Sequence, residues 1–315
     1  MNRTGRAGGT ASQTLRDRIL SWRELVEQCR RKPTRKRVHA LRVVTLRVQA
    51  EVENELSGLP RASHEAQAMM RFGKLAEKLR DALGSVRELD VWIGKLHVLR
   101  DSLSGPTSYV PRSSCETSRQ LERLESRLVK KRERAGAKLV AEIEKRREDL
   151  LQAARDLERA TDERVDESDR NQASRLLKEF TRIVDEYPAL DENNLHQFRK
   201  KVKAVRYVAE IYSANPVCGR VAVQMKNAQA AIGEWHDWQV LARTAGQGKH
   251  SKGSDAVDLL NSLTAESYEA AIATCDGVLR KMSDLERELG TGLDVSRKAP
   301  VADEDAVKVS IKKLA

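Results

Sequence analysis

Val38-His39-Ala40-Leu41-Arg42 is the stretch on which the reading of this chain turns, because it returns as Leu195-His196-Gln197-Phe198-Arg199. Each copy sets a His three residues before an Arg, with an apolar residue ahead of each. Both lie in acid-free windows: eight Lys/Arg and no Asp or Glu over 30–50, and five and none over 195–209. The chain as a whole carries 47 acids, so two clean cationic windows are a feature to be explained. On a helix, positions 0, 3, 7 and 10 from the His fall within roughly 80° of one another. In the second copy these are His196, Arg199, Lys203 and Arg206, a cationic ladder on one face. In the first copy they are His39, Arg42, Leu46 and Gln49, a shorter ladder that Arg35 extends in the other direction, with Arg47 on a neighbouring line.

Outward from the two copies, the periodicity is helical throughout. Leu15, Ile19, Trp22, Val26 and Cys29 step by four and three, an amphipathic helix over 13–31. Pro33 ends it, and Thr34 is set to cap a second helix running to about residue 56. A third helix begins near Ser63 and continues past Gly84 to about Arg100. Gly105, Pro106 and Pro111 mark 102–118 as a loop. A single long helix is then expected over 119–160, an arm whose Arg- and Glu-rich faces are solvated and tied by i,i+4 pairs. After a polar stretch at 161–169, helices are expected over 171–187, 192–213, 217–243 and 255–289. The expected organisation is therefore residues 1–12 disordered, 13–160 a first four-helix half, 161–169 a linker, 170–289 a second half, and 290–315 a flexible tail. Residues 13–289 would form one domain.

A second repeat supports duplication. Leu83-Gly84-Ser85-Val86-Arg87-Glu88-Leu89-Asp90-Val91 shares a frame with Ile232-Gly233-Glu234-Trp235-His236-Asp237-Trp238-Gln239-Val240. Both sit on the helix after a His-x-x-Arg helix. Gly inside a helix is less favourable than Ala by about 1 kcal/mol, and is kept for close packing or close approach of a ligand.

Composition narrows the function. Apolar residues at 40% suffice for a core, and a net charge of +11 favours anionic partners. No run approaches 18 apolar residues, so no membrane span is expected. Residues 1–11 are polar and Gly-rich without an apolar core of a signal peptide, which points to a cytoplasmic protein. Cys29, Cys115, Cys218 and Cys275 are far apart and read as reduced and mostly buried. No clustered His/Cys spacing suggests a metal, and no cofactor motif is present. Trp92, Trp235 and Trp238 read as core residues, and His64, His97 and His250 carry no pattern.

With these motifs in order, the sequence resembles the conserved histidine α-helical domain family, CHAD, across roughly residues 13–289. The resemblance is carried by His39 and Arg42, by Leu83-Gly84 with Arg87, Glu88 and Asp90, by His196 with Arg199, Lys203, Arg206 and Tyr207, and by Ile232-Gly233 with His236 and Asp237. It implies an all-α fold of two four-helix halves, related by a pseudo-twofold, around a basic central cavity that binds inorganic polyphosphate. Members of the family are often associated with polyphosphate granules. Some are fused to a β-rich triphosphate-hydrolysing tunnel domain, of which this sequence has no counterpart. Leu46 and Gln49 stand where the family has Arg or Lys, and Glu88 where it has Asp.

The residues expected to meet the ligand are Arg35, His39, Arg42 and Arg47 on the second helix and Arg80 and Arg87 on the third. From the second half come His196, Arg199, Lys200, Lys203 and Arg206, followed by Lys226 and His236. Arg offers forked hydrogen bonds to phosphate oxygens, and Lys a point charge. Glu88, Asp90 and Asp237 would hold neighbouring Arg side chains in place. Opposed cationic ladders would repel when empty, and a polyanion would relieve that repulsion. The second half is expected to supply the regular cationic face, the first closing it with fewer residues in line. Two other readings compete. One is nucleic-acid binding by the same faces, against which stand an aromatic content of 4% and no recognised reading motif. The other is a polyphosphate-processing enzyme using His39 or His196, against which stands the lack of a Walker-type loop or a carboxylate cluster for Mg²⁺.

Overall fold

The computed structural model describes residues 11–56, 58–103, 112–161, 169–187, 189–247 and 254–290. Those residues form nine helices and no strand: α1 Ala11–Arg31, α2 Arg35–Leu56, α3 His64–Leu103, α4 Arg112–Lys145, α5 Arg147–Thr161, α6 Asp169–Glu186, α7 Leu195–Ile211, α8 Pro216–Gly246 and α9 Asp255–Gly290. The all-helical class is as the periodicity predicts. The expected N-terminal segment, linker and tail fall almost wholly outside the described residues.

The caps follow sequence chemistry. The Arg37 N–H donates to Thr34 Oγ1 at 3.4 Å, and the Ala66 N–H to Ser63 Oγ at 3.1 Å. Asn215 Oδ1 accepts from the N–H groups of Val217 and Cys218 ahead of α8, with Pro216 at the first helical position.

α1 buries Leu15, Ile19, Trp22, Val26 and Cys29. The Trp22 indole donates to Thr45 Oγ1 at 2.9 Å, and its ring meets Phe72 edge-on at 5.1 Å. α2 is the central helix, buried on two sides. Val38, Leu41, Val44, Val48 and Val52 join a core with α1, α3 and α5, while Leu46 and Ala50 join the core of α6–α9. α7 packs against α2, which brings the two His-x-x-Arg helices together. A third apolar cluster links Leu89 and Leu96 of α3, Leu121, Leu124 and Leu128 of α4, Leu241 of α8 and Leu260 of α9. Polar bridges cross the same boundary. Arg47 Nε lies 3.4 Å from Glu210 Oε2, Trp92 Nε1 donates to Asp237 Oδ1 at 3.3 Å, and Asn54 donates to the Tyr212 hydroxyl.

Three expectations need correction. The long helix over 119–160 is two helices that break at Arg146, where the Arg146 N–H turns back to the Ile143 carbonyl at 3.2 Å. No Gly or Pro marks the break; it lets Leu150, Ala153, Ala154 and Leu157 enter the first core. Of the loop expected over 102–118, residues 102–103 and 112–118 are helical, and 104–111 lie outside the described residues. Nor is this region a solvated arm. Leu121, Leu124, Leu128, Leu139 and Ile143 are buried, and α4 packs on α3, α1 and α9.

Candidate functional site

The two repeated motifs meet pairwise, and each His-x-x-Arg helix meets its Gly helix in the same way. Arg42 of α2 crosses to α3, and Arg199 of α7 crosses to α8. Arg42 Nη1 donates to the Arg80 carbonyl at 3.1 Å; Arg199 Nε donates to the Gln229 carbonyl at 3.5 Å. Each acceptor lies four residues before the motif glycine. A Cβ on Gly84 would sit 3.4 Å from Arg42 Nη1, and one on Gly233 would sit 3.1 Å from Arg199 Nη2. The glycines therefore leave room for a guanidinium to lie on the helix backbone, which answers why each helix tolerates a Gly in its interior.

The seated guanidiniums converge on Lys203. Its ammonium interacts with Arg42 and Arg80 across the boundary and with Arg199 and Arg206 on its own helix. Burial, followed by these four positive neighbours, brings its pKa from 10.5 down to about 7. Burial likewise lowers the pKa of Arg42 and Arg199. Tyr207 forms part of the lining: its ring lies 4.5 Å from the Arg206 guanidinium and 5.9 Å from Lys203 Nζ. Arg206 Nε is also 3.5 Å from Glu210 Oε1. The result is a half-buried cationic cluster, fed by α2, α3 and α7.

The histidines border it. The His196 and His236 rings are 4.8 Å apart. Burial, then His196, then Arg199 and Arg243 press the His236 pKa down to about 4. Burial and then Lys200 and Arg199 lower that of His196. At the first motif His39 has Arg87 in the place His236 takes at the second, three residues after the glycine, and its pKa is lowered by loss of hydration, then by Arg87, Arg35 and Arg42. These shifts keep all three rings neutral at neutral pH, able to donate one hydrogen bond and accept another. Glu88 and Asp237 take matching positions one residue further on. Burial raises both carboxyls; Arg42 opposes that rise at Glu88, and Lys95 at Asp237. Asp90 holds Arg132 of α4, at 2.9 Å, and not a cation of the cluster.

The remaining predicted residues surround this centre and are not among the five cations that meet at Lys203. Arg47 is exposed and pairs with Glu210. Lys226 is exposed on α8, and Lys200 lies next to His196 on the rim. Arg35 and Arg87 line a cavity of about 440 Å³ between α3, α8 and α9, whose other walls include Val91, Leu99, Trp238 and Leu263. The Arg35 guanidinium lies against Gly94, where a Cβ would come within 2.8 Å. Gly94 is a third such seat, outside the repeated motifs, and its signal in the sequence is a Gly inside the third helix with a basic run on the second. The cavity is mixed in character, with Lys95 paired to Glu234 and stacked 4.4 Å over Trp238. Leu46 and Gln49, the departures from the family pattern, are buried, Leu46 at 3% exposure inside the second core. Trp235 is core at 1% exposure, whereas Trp92 and Trp238 are half-buried with their indole N–H groups on carboxylates. Cys29, Cys218 and Cys275 are buried, Cys115 is exposed, and all four are free.

No helix among the described residues is long and apolar enough to cross a membrane, and those residues contain no cluster of metal-ligating side chains. No curated protein matches the chain. Among solved structures it is similar to PptA from Streptomyces chartreusis, at 16% identity and a TM-score of 0.60, over 86% of this chain and 100% of that one. It is also similar to the CHAD domain from the plant Ricinus communis, at 14% identity and a TM-score of 0.54, over 99% of this chain and 95% of that one. Both likenesses concern the fold. The model of the CHAD domain matches residues 13–246, and the chain belongs to the CHAD-domain family.

Proposed function

We propose that this protein binds inorganic polyphosphate without catalysis, through the cluster of Arg42, Arg80, Arg199, Lys203 and Arg206 with the flanking His196 and His236. The observation that carries the reading is the convergence of five cations from three helices on one half-buried spot, where Lys203 has only positive charges among its named neighbours. A free protein keeps such a cluster at a cost in stability, which a dense polyanion offsets. Arg42 and Arg199 are held on glycine seats, so their guanidiniums reach the ligand already oriented. The paired geometry of Arg42–Gly84 and Arg199–Gly233 supports two duplicated halves as the origin of the site.

The family makes polyphosphate the natural polyanion, and recruitment to polyphosphate granules follows as the cellular expectation. Nucleic acid is the rival. Bases would need stacking surfaces or edge readers, and the aromatic ring of the cluster, Tyr207, is buried. Competition at matched salt separates the two: long polyphosphate should resist displacement by duplex DNA at equal phosphate concentration. Equal displacement would overturn the reading. The non-catalytic part has its own test. Incubation with polyphosphate and divalent metals should release no phosphate, and release abolished by His39→Ala would make the protein an enzyme.

A further inference from the structure

The outer face of α4 carries a row of cations separate from the central cluster. Arg123, Arg127, Lys130, Lys131, Arg134 and Lys138 are all exposed. Projected down the helix they fall within about 100° of one another and extend about 22 Å along its axis. The buried Leu121, Leu124, Leu128, Leu139 and Ile143 lie on a separate, packed face centred roughly 120° round the helix from the row, with Arg132, which reaches inward to Asp90 and the Pro33 carbonyl. None of the six is within ion-pair distance of an acid among the described residues.

The reason is visible in where the acids of α4 go. Glu122 and Glu125 are taken by Arg100 of α3, at 3.6 and 2.6 Å. Glu144 is taken by Arg30 of α1 at 2.7 Å. Glu116 pairs within the helix with Arg119, and Glu142 with Arg146 at the break that follows it. Glu133 is left exposed at the edge of the row. Tertiary packing thus withdraws the negative charges and strands the positive ones. Like charges at i,i+4, as in Arg123/Arg127, Lys130/Arg134 and Arg134/Lys138, disfavour the helix until a counter-charge arrives.

We infer that this row is a second polyphosphate-binding surface, so that one molecule holds two chain segments, one at the central cluster and one along α4. The inference rests on the polyphosphate reading for the identity of the ligand. A single linear row suits an unbranched chain of phosphates. α4 has no aromatic residue for stacking on bases, and Gln120, the amide on this helix, is engaged by Ser254 and the Ala256 N–H. The functional consequence is bridging. A protein with two such surfaces cross-links chains, and avidity through two weaker contacts holds it on a polymer-rich particle.

The test uses the full chain and the variant Arg127→Glu/Lys130→Glu/Arg134→Glu, whose substitutions are exposed and helix-compatible; circular dichroism checks the fold. Calorimetry with short polyphosphate should show two chains per wild-type molecule, the weaker one more sensitive to salt. The triple variant should keep the tighter site within about twofold and lose the weaker one by about tenfold or more, with light scattering on mixing with long polyphosphate falling in parallel. Arg199→Ala/Arg206→Ala should do the reverse, losing the tighter site and keeping the weaker. One chain per wild-type molecule, or unchanged second-site binding in the triple variant, overturns the α4 surface and leaves the central site standing. Displacement from the weaker site by duplex DNA at equal phosphate concentration also overturns it. An unaltered tighter site in Arg199→Ala/Arg206→Ala strikes the central reading instead.

Discussion

Binding of polyphosphate near pH 8 should draw a proton onto Lys203. In the free protein burial and the charges of Arg42, Arg199, Arg80 and Arg206 hold its pKa at about 7. At a pH of about 8, roughly a tenth of the molecules then carry the ammonium. A bound polyanion reverses the sign of the local potential and returns the group toward its ordinary 10.5. Uptake should therefore approach about 0.9 proton per complex at that pH, and affinity should fall by nearly tenfold per pH unit between about 7.5 and 9.5. Calorimetry in two buffers of different ionisation enthalpy measures the uptake directly. Lys203→Met is the control, since His39, His196 and His236 and the chain ends also titrate. Uptake near zero in the wild type, or the same uptake in Lys203→Met, would refute the placement of Lys203 among those arginines. The same shift fixes the sign of a stability effect. The unfolded chain holds this proton up to about 10.5 and the folded one releases it near 7, so the Lys203 contribution makes the free protein less stable as pH falls through that window. Lys203→Met should then raise unfolding stability at neutral pH by about 1–4 kcal/mol while weakening polyphosphate binding.

Gly233→Ala should weaken binding more than Gly84→Ala, because the added Cβ meets Arg199 at 3.1 Å and Arg42 at 3.4 Å. Neither should lower thermal stability much, since Ala favours the helix by about 1 kcal/mol. Thr45→Val removes the buried acceptor of the Trp22 indole, and chemical denaturation should register a loss of about 1–3 kcal/mol. Leu46→Ala should lose about 2–5 kcal/mol in the same assay, as expected for a cavity at the join between α2 and the second core.

Much of this was legible in the sequence, for stated physical reasons. The apolar steps through Leu15, Ile19, Trp22, Val26 and Cys29 name the buried face of α1 because helical period alone decides it. Thr34 and Ser63 cap their helices as their chemistry suggests. The pairing of His-x-x-Arg with the interior Gly is visible as a repeat, although its physical meaning is a contact between two helices. What stayed hidden depends on tertiary partners. Leu46 and Gln49 read as gaps in a cationic ladder, but the packing of α2 on the second core buries Leu46, and the buried Gln49 amide donates to the Gly73 carbonyl of α3. Arg35 and Arg87 share the motif windows but open onto a different cavity. The break at Arg146 carries no local signal. On α4 the alternating charges read as mutual i,i+4 pairs, yet Glu122, Glu125 and Glu144 bond to other helices, and that decides which cations remain free.

The most direct test of the central claim is the affinity for long polyphosphate of Arg199→Ala/Arg206→Ala against wild type, at one fixed ionic strength. Charge-assisted hydrogen bonds contribute about 1.5–3 kcal/mol each, so the loss should exceed about tenfold for each guanidinium removed, with the helical circular dichroism signal unchanged. Undiminished affinity in that folded variant would contradict the assignment of the binding site to the cluster around Lys203.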